Sequence, residues 1–159
     1  MNPISVVAVV EQMAANPAYE TDFHAWTQVQ VALLRLGRLA ELDLEHLAEE
    51  LESMGASERR ELGSRLKVLL QHLLKWQFQP DSRSNSWRGT VDEQRDQLER
   101  LLDQSPSLQR LLPDLLPVEY ARARRAATLE TEQPLEQFPF SCPYTLKQIL
   151  DTDFWPDAG

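Results

Sequence analysis

The fold is decided by residues 57–78, which read SERRELGSRLKVLLQHLLKWQF. Five apolar residues recur in this stretch at alternating spacings of four and three: Leu62, Leu66, Leu69, Leu73 and Trp76. At about 100° per residue, these side chains line one face of an α-helix. We therefore predict a buried, Leu-rich central helix over residues 58–78, around which a helical bundle packs.

Helix start and stop signals surround this segment. No proline occurs from residue 18 to 79, and glycine there is confined to positions 37, 55 and 63. Capping residues and glycines predict a helix from 21 or 22 to 36, ended by Gly37, and a second over 44–54, ended by Gly55. Further on, they predict four more helices. The first begins at Ser86 or Thr90 and ends at about 104, and a short one begins at 105. A third ends near 131, and the last covers 143–150.

Composition agrees with this interpretation. The chain has 26 Leu against 11 Ile plus Val, and five of those eleven lie in the first ten residues. β-branched residues favour strands and Leu favours helices, so the sequence contains few of the residues that form a β-sheet. We predict an all-α, single-domain bundle of about five to seven helices over residues 19–156, preceded by an N-terminal extension, 1–18.

Charge and cysteine content exclude several classes of protein. The net charge of −9 argues against a broad nucleic-acid binder, which needs a basic surface. The sequence shows no secretory signal and no apolar run of the roughly twenty residues that a membrane helix needs. The single cysteine, Cys142, permits no intramolecular disulfide. These features predict a cytoplasmic, acidic protein that does not bind membranes.

Seven polar residues lie on or beside faces that the periodicity makes apolar. They are Gln30 in the first helix, Glu49 and Glu52 in the second, His72 in the central helix, and Arg88, Gln94 and Arg95 in the helix that follows. A buried cation needs a partner, so we expect Arg95 to meet a carboxylate or a bound anion. Leu44, Leu47, Ala48, Leu51 and Met54 are predicted to face inward.

Two interpretations of these polar residues remain open. In the first, they form an internal ion-pair network, in which Glu49 and Glu52 pair with Arg88 and Arg95. In the second, they line a polar pocket that binds a small anionic or amide-containing ligand.

Signatures of metal and cofactor chemistry are weak. His46 and Glu50 have the spacing to share a metal ion, but no second such pair occurs, and phosphate-loop and dinucleotide fingerprints are missing. Cys142 has no His or second Cys near it in sequence. We predict neither a metal nor a cofactor.

Several ordered segments resemble one known family. They read YETDFHAWTQ (19–28), LDLEHLAEELESMG (42–55), LLQHLLKWQFQP (69–80), SWRGTVDEQR (86–95) and CPYTLKQIL (142–150). Together they resemble the bacterial family catalogued as domain of unknown function twenty-nine, over roughly residues 19–156. The resemblance implies an all-helical bacterial domain and supplies no catalytic or cofactor-binding residue.

These observations favour a non-enzymatic binding or interaction module. We expect a protein partner, engaged through an acidic surface or through exposed apolar helix faces, which would also permit a homo-oligomer. The alternative is an enzyme or small-ligand binder with a polar pocket formed by Arg88, Arg95, His72, Glu49 and Glu52. In that case His72 would serve as acid or base.

Overall fold

The computed structural model describes residues 19–158, and these residues form helices and no strand. The α-helices are α1 (Phe23–Arg35), α2 (Leu44–Phe78), α3 (Asn85–Gln104), α4 (Leu112–Thr131) and α5 (Leu146–Leu150). Short 3-10 turns connect them at Leu39–Glu41, Pro80–Ser82, Pro106–Leu111 and Leu135–Gln137. The predicted all-α fold with a long central helix is confirmed. The predicted extension, 1–18, lies outside the described residues.

The chain divides into two compact units within α2, between Gly55 and Ala56. The first unit is described over residues 19–55 and the second over residues 56–158. A single domain over 19–156 stays a prediction.

Helix α1 begins and ends as the sequence predicts, to within a residue or two. The Asp22 side chain accepts a hydrogen bond from Ala25 N at 2.9 Å and caps the N-terminus. After the last turn, Gly37 adopts φ +70°, the left-handed conformation that glycine reaches without strain.

Helix α2 corrects one prediction. We expected one helix to end at Gly55 and a second to begin at residue 58, yet the helix runs unbroken from Leu44 to Phe78. Glycine in a helix interior costs only about 1 kcal/mol relative to alanine, and good helix formers on both sides outweigh that cost. With no proline to force a stop, the helix continues through Gly55.

The core of the second unit is built on α2. Six leucines of this helix are completely buried: Leu62, Leu66, Leu69, Leu70, Leu73 and Leu74. Residues of α3, α4 and α5 complete the same core, among them Leu98, Tyr120 and Ile149. Burial of each leucine stabilises the fold by roughly 1.5–3 kcal/mol, so this face holds the second unit together. Trp76, predicted on the same stripe, is half-buried against Trp155, with ring centroids 4.5 Å apart.

The remaining helices differ from prediction mainly at their ends. Helix α3 begins at Asn85, because the Ser84 side chain accepts a hydrogen bond from Trp87 N at 3.2 Å. Thr90 therefore lies inside the helix instead of capping it. Helix α5 is shorter than predicted, since its capping box is formed by Thr145 and Gln148. Among the described residues, no helix is long and apolar enough to cross a membrane.

Candidate functional site

The predicted site residues are divided between the two units. Gln30, Glu49 and Glu52 lie in the first unit, and the other four, His72, Arg88, Gln94 and Arg95, lie in the second. Their grouping into one network or one pocket therefore stays a prediction. Within each unit, the structure gives the partners of the individual side chains.

Arg95 is buried as predicted, but its partners are different. The side chain is 2 % exposed, and its guanidinium donates to Ile149 O at 2.9 Å and Phe154 O at 2.8 Å. Longer bonds reach Gln148 O at 3.4 Å and Thr152 O at 3.5 Å. Among the described residues, the partners of Arg95 are thus backbone carbonyl oxygens and no carboxylate pairs with it, while a bound anion stays a prediction. Carbonyl groups at the end of a helix lack partners within it, so a guanidinium that reaches α5 and the segment after it is satisfied there.

The cleft beside Arg95 is acidic. It has a volume of about 550 Å³, and its other charged residues are Glu99, Asp103 and Asp151. Neither Arg88 nor His72 lines it. An anionic ligand would meet like charge there.

Arg88 makes no ion pair within the described residues. Arg88 is exposed, and its guanidinium lies 5.5 Å from the centre of the Trp155 ring, a cation–π contact. Gln94 is half-buried on α3.

His72 is half-buried on α2. Its Nδ1–H donates to Val68 O at 2.9 Å, which leaves Nε2 as the acceptor of the neutral ring. Burial lowers the pKa of His72. The neutral form is therefore favoured at neutral pH.

The sequence did not predict an ion pair near His72 that joins a buried lysine to an exposed glutamate. Lys75 is buried, and its ammonium donates to the Glu130 carboxylate of α4 at 2.6 Å while lying 4.4 Å from the centre of the Trp87 ring. The bond from Lys75 lowers the pKa of Glu130. Lysine beside a leucine stripe normally extends its ammonium into water, so nothing in the spacing predicted this pair. The cluster fixes α2, α3 and α4 together.

In the first unit, Asp43 is the centre of a polar cluster. Its carboxylate accepts from Trp26 Nε1 at 3.1 Å and from His46 Nδ1 at 2.7 Å. Its backbone N–H donates to Oε1 of buried Gln30 at 2.9 Å. The Nε2 of Gln30 has no hydrogen-bond partner among the described residues. These bonds tie α1 to the first turn of α2.

Aromatic rings extend this cluster around His46. Tyr19 stacks on the His46 ring with centroids 4.1 Å apart, and its hydroxyl donates to the Glu50 carboxylate. The bond to Asp43 raises the pKa of His46, and the same bond lowers the pKa of Asp43. His46 and Glu50, whose spacing would allow a shared metal ion, therefore have other partners: His46 bonds to Asp43, and Glu50 accepts from Tyr19. No group of three or more His, Cys, Asp or Glu residues suited to a metal occurs in the part of the chain that the structure describes.

The N-terminal half of α2 exposes an apolar face, which corrects a second prediction. Leu44 and Leu51 are each 68 % exposed and Met54 is 65 % exposed, although we expected all three to face inward. Ala48 and Gly55 are exposed on the same face, at helical spacing from the leucines. We call these five residues the α2 apolar face.

Acidic residues flank the α2 apolar face. Residues 41–52 contain six acidic side chains and no Lys or Arg: Glu41, Asp43, Glu45, Glu49, Glu50 and Glu52. Glu45, Glu49 and Glu52 are exposed. Glu45 and Glu52 form no ion pair with any described residue. The first unit therefore presents an apolar strip beside uncompensated negative charge.

Comparison with known proteins identifies the family. The family model described as Domain of unknown function DUF29 matches residues 18–155. The chain belongs to the DUF29 family. This confirms the resemblance drawn from the sequence, and the description of DUF29 names no activity. No match is found among curated proteins or among solved structures.

Proposed function

We propose that this DUF29 chain is a non-enzymatic interaction module that docks a helix of another protein on the α2 apolar face. The observation that carries the proposal is the exposure of Leu44, Leu51 and Met54 beside an acidic flank. Large apolar side chains clustered on a surface and bordered by charge are typical of protein interaction sites.

The spacing of the face suits a helical partner. Leu44, Ala48, Leu51 and Gly55 follow one another at intervals of four, three and four residues, which keeps them on one side of α2. Side-chain size at the contact sets the distance between two packed helices. The small residues Ala48 and Gly55 therefore let a partner helix approach closely between the larger side chains.

Charge selects the kind of partner. A second copy of the chain would bring its own acidic flank against this one, and like charges across an interface are unfavourable. A helix with Lys or Arg beside its apolar stripe would instead pair with Glu45 and Glu52. We therefore assign the face to a basic amphipathic helix rather than to self-association.

No observation favours the alternative of a catalytic or anion-binding pocket beside Arg95. The donors of Arg95 are engaged by carbonyl oxygens, and the cleft beside it is acidic.

The test is the binding of a fluorescent synthetic helix with leucines along one face and Lys and Arg on both flanks. Fluorescence anisotropy gives its affinity for the full chain and for Leu51→Gln. Leu129→Gln is the matched control, because Leu129 is 82 % exposed on α4, in the second unit. We expect Leu51→Gln to weaken binding about fivefold to thirtyfold and Leu129→Gln to have no effect, since about two-thirds of the burial energy of Leu51 remains to be gained on docking.

Three outcomes would overturn the proposal. The first is equal binding by Leu51→Gln and the full chain, and the second is equal binding of a peptide with the same composition but scrambled order. The third is a dimer, measured by light scattering, that Leu51→Gln dissociates, which would assign the face to a second copy.

A further inference from the structure

A second concavity lies in the second unit, between α4 and the segment that follows it. It has a volume of about 470 Å³, within the range of small-molecule sites. Its walls are mostly apolar and include Leu116, Pro117, Tyr120, Leu135, Phe140 and Cys142. The Phe140 ring is 90 % exposed, so the lip of the cavity presents a large apolar surface to solvent.

The charged residues that line this cavity are both arginines, Arg124 and Arg125. Arg124 belongs to the wall, because its Nε donates to Phe138 O at 3.0 Å and its Nη2 to Leu135 O at 2.9 Å. Arg125 is exposed and forms no hydrogen bond or ion pair with any described residue. Its guanidinium is therefore available to a ligand at the mouth.

We propose that this cavity binds an organic carboxylate with an apolar tail, such as a medium-chain fatty acid. The apolar walls take the tail, and the free guanidinium of Arg125 pairs with the carboxylate, whose planar geometry matches its fork of donors. In a chain of net charge −9, an apolar cavity whose charged residues are both cationic selects for an anionic head group. This site is separate from the α2 apolar face, and its test does not depend on the proposed function.

The single cysteine supplies a local reporter of occupancy. Cys142 lines the cavity, is half-buried, and donates its thiol hydrogen to Tyr144 O at 3.4 Å. Burial raises the pKa of Cys142, so the free thiol reacts slowly with alkylating reagents. A ligand in the cavity covers the thiol and slows the reaction further.

The experiment follows alkylation of Cys142 by N-ethylmaleimide while octanoate or 1-octanol is added to the full chain. We expect octanoate to protect the thiol at lower concentration than 1-octanol. Arg125→Gln should raise the octanoate concentration needed by about threefold to tenfold, as loss of one ion pair at a partly exposed site implies. Arg100→Gln, an exposed arginine of α3 outside the cavity, is the matched control and should leave protection unchanged.

Two results would overturn the proposal. Equal protection by octanoate and 1-octanol, unaffected by Arg125→Gln, would mean that the cavity takes apolar groups without regard to charge. Absence of protection by either compound in the folded chain would mean that nothing of this class enters it. Neither result bears on the helix-docking face of the first unit.

Discussion

Arg95 provides the sharpest test of how the second unit is held together. Its two short bonds, to Ile149 O at 2.9 Å and Phe154 O at 2.8 Å, tie α3 to α5 and to the segment that follows. Hydrogen bonds of a charged group contribute about 1.5–3 kcal/mol each. Arg95→Met removes both bonds, so the two carbonyl oxygens lose their donor and must be hydrated instead. Since Met recovers part of the packing, we expect a loss of about 2–4 kcal/mol in the free energy of unfolding.

Arg88→Met is the matched control. Arg88 also lies over the Trp155 ring, at 5.5 Å against 5.6 Å for Arg95, but it is exposed. An exposed cation–π contact contributes about 0.5–1 kcal/mol, so the control should lose no more than that. Arg95→Lys separates charge from geometry, because an ammonium cannot reach several carbonyl oxygens in the way a planar guanidinium does. We expect Arg95→Lys to lose nearly as much stability as Arg95→Met.

The assay is urea unfolding followed by far-ultraviolet circular dichroism, with amide hydrogen exchange at Ile149 and Leu150 as a local measure. Circular dichroism is preferred to fluorescence, because both arginines contact Trp155 and would change its emission directly. Exchange at α5 should accelerate in Arg95→Met and stay unchanged in Arg88→Met. Equal loss in the two Met variants, or full stability in Arg95→Lys, would refute the assignment of Arg95 as an anchor of the α5 region.

Further predictions concern α2 and its histidines. Gly55→Ala should stabilise the chain by about 0.5–1 kcal/mol in urea unfolding, because the added methyl meets open space. Gly63→Ala should gain less or lose stability in the same assay, since its Cβ would lie 3.0 Å from the buried Glu119 carboxylate. Nuclear magnetic resonance titration should place the pKa of His46 above 6.5 and that of His72 below it, and the reverse order would contradict the contacts described. The His46–Asp43 pair should stabilise the first unit most between about pH 4 and 6.5: the His46 contribution is lost as pH rises through its raised pKa, and the Asp43 contribution is lost as pH falls through its lowered pKa. Amide protection factors in α1, which divide out the pH dependence of intrinsic exchange, should be highest inside the window and fall on either side of it.

The fold could be predicted from sequence to the extent that periodicity and capping encode it. The leucine stripe of α2 and the Gly37 stop are local properties, and both hold in the structure. Gly55 misled the prediction because a glycine ends a helix only where the chain also turns, and the sequence on either side favours continuation.

The site could be predicted less well, for a physical reason. Periodicity correctly placed Arg95 on a buried face, but its partners are backbone carbonyl groups. Every residue carries such a group, so the residue types in the sequence do not indicate which carbonyls Arg95 meets. Leu44, Leu51 and Met54 show the opposite case. Their spacing defines an apolar face, but it does not show whether the chain covers that face itself or leaves it exposed to a partner.

The first unit explains how such a face stays exposed in a folded chain. Helix α1 is fixed to α2 through Asp43, which accepts from Trp26 and His46 and whose N–H donates to Gln30. Tyr19 adds its stacking on His46 and its bond to Glu50. These contacts use Asp43, just before α2, and the side of α2 that carries His46 and Glu50, so the contacts that join the two helices do not involve Leu44 and Leu51. Leu51→Gln should therefore leave the stability of the chain unchanged while it weakens docking, a separation that a core leucine such as Leu66 cannot give.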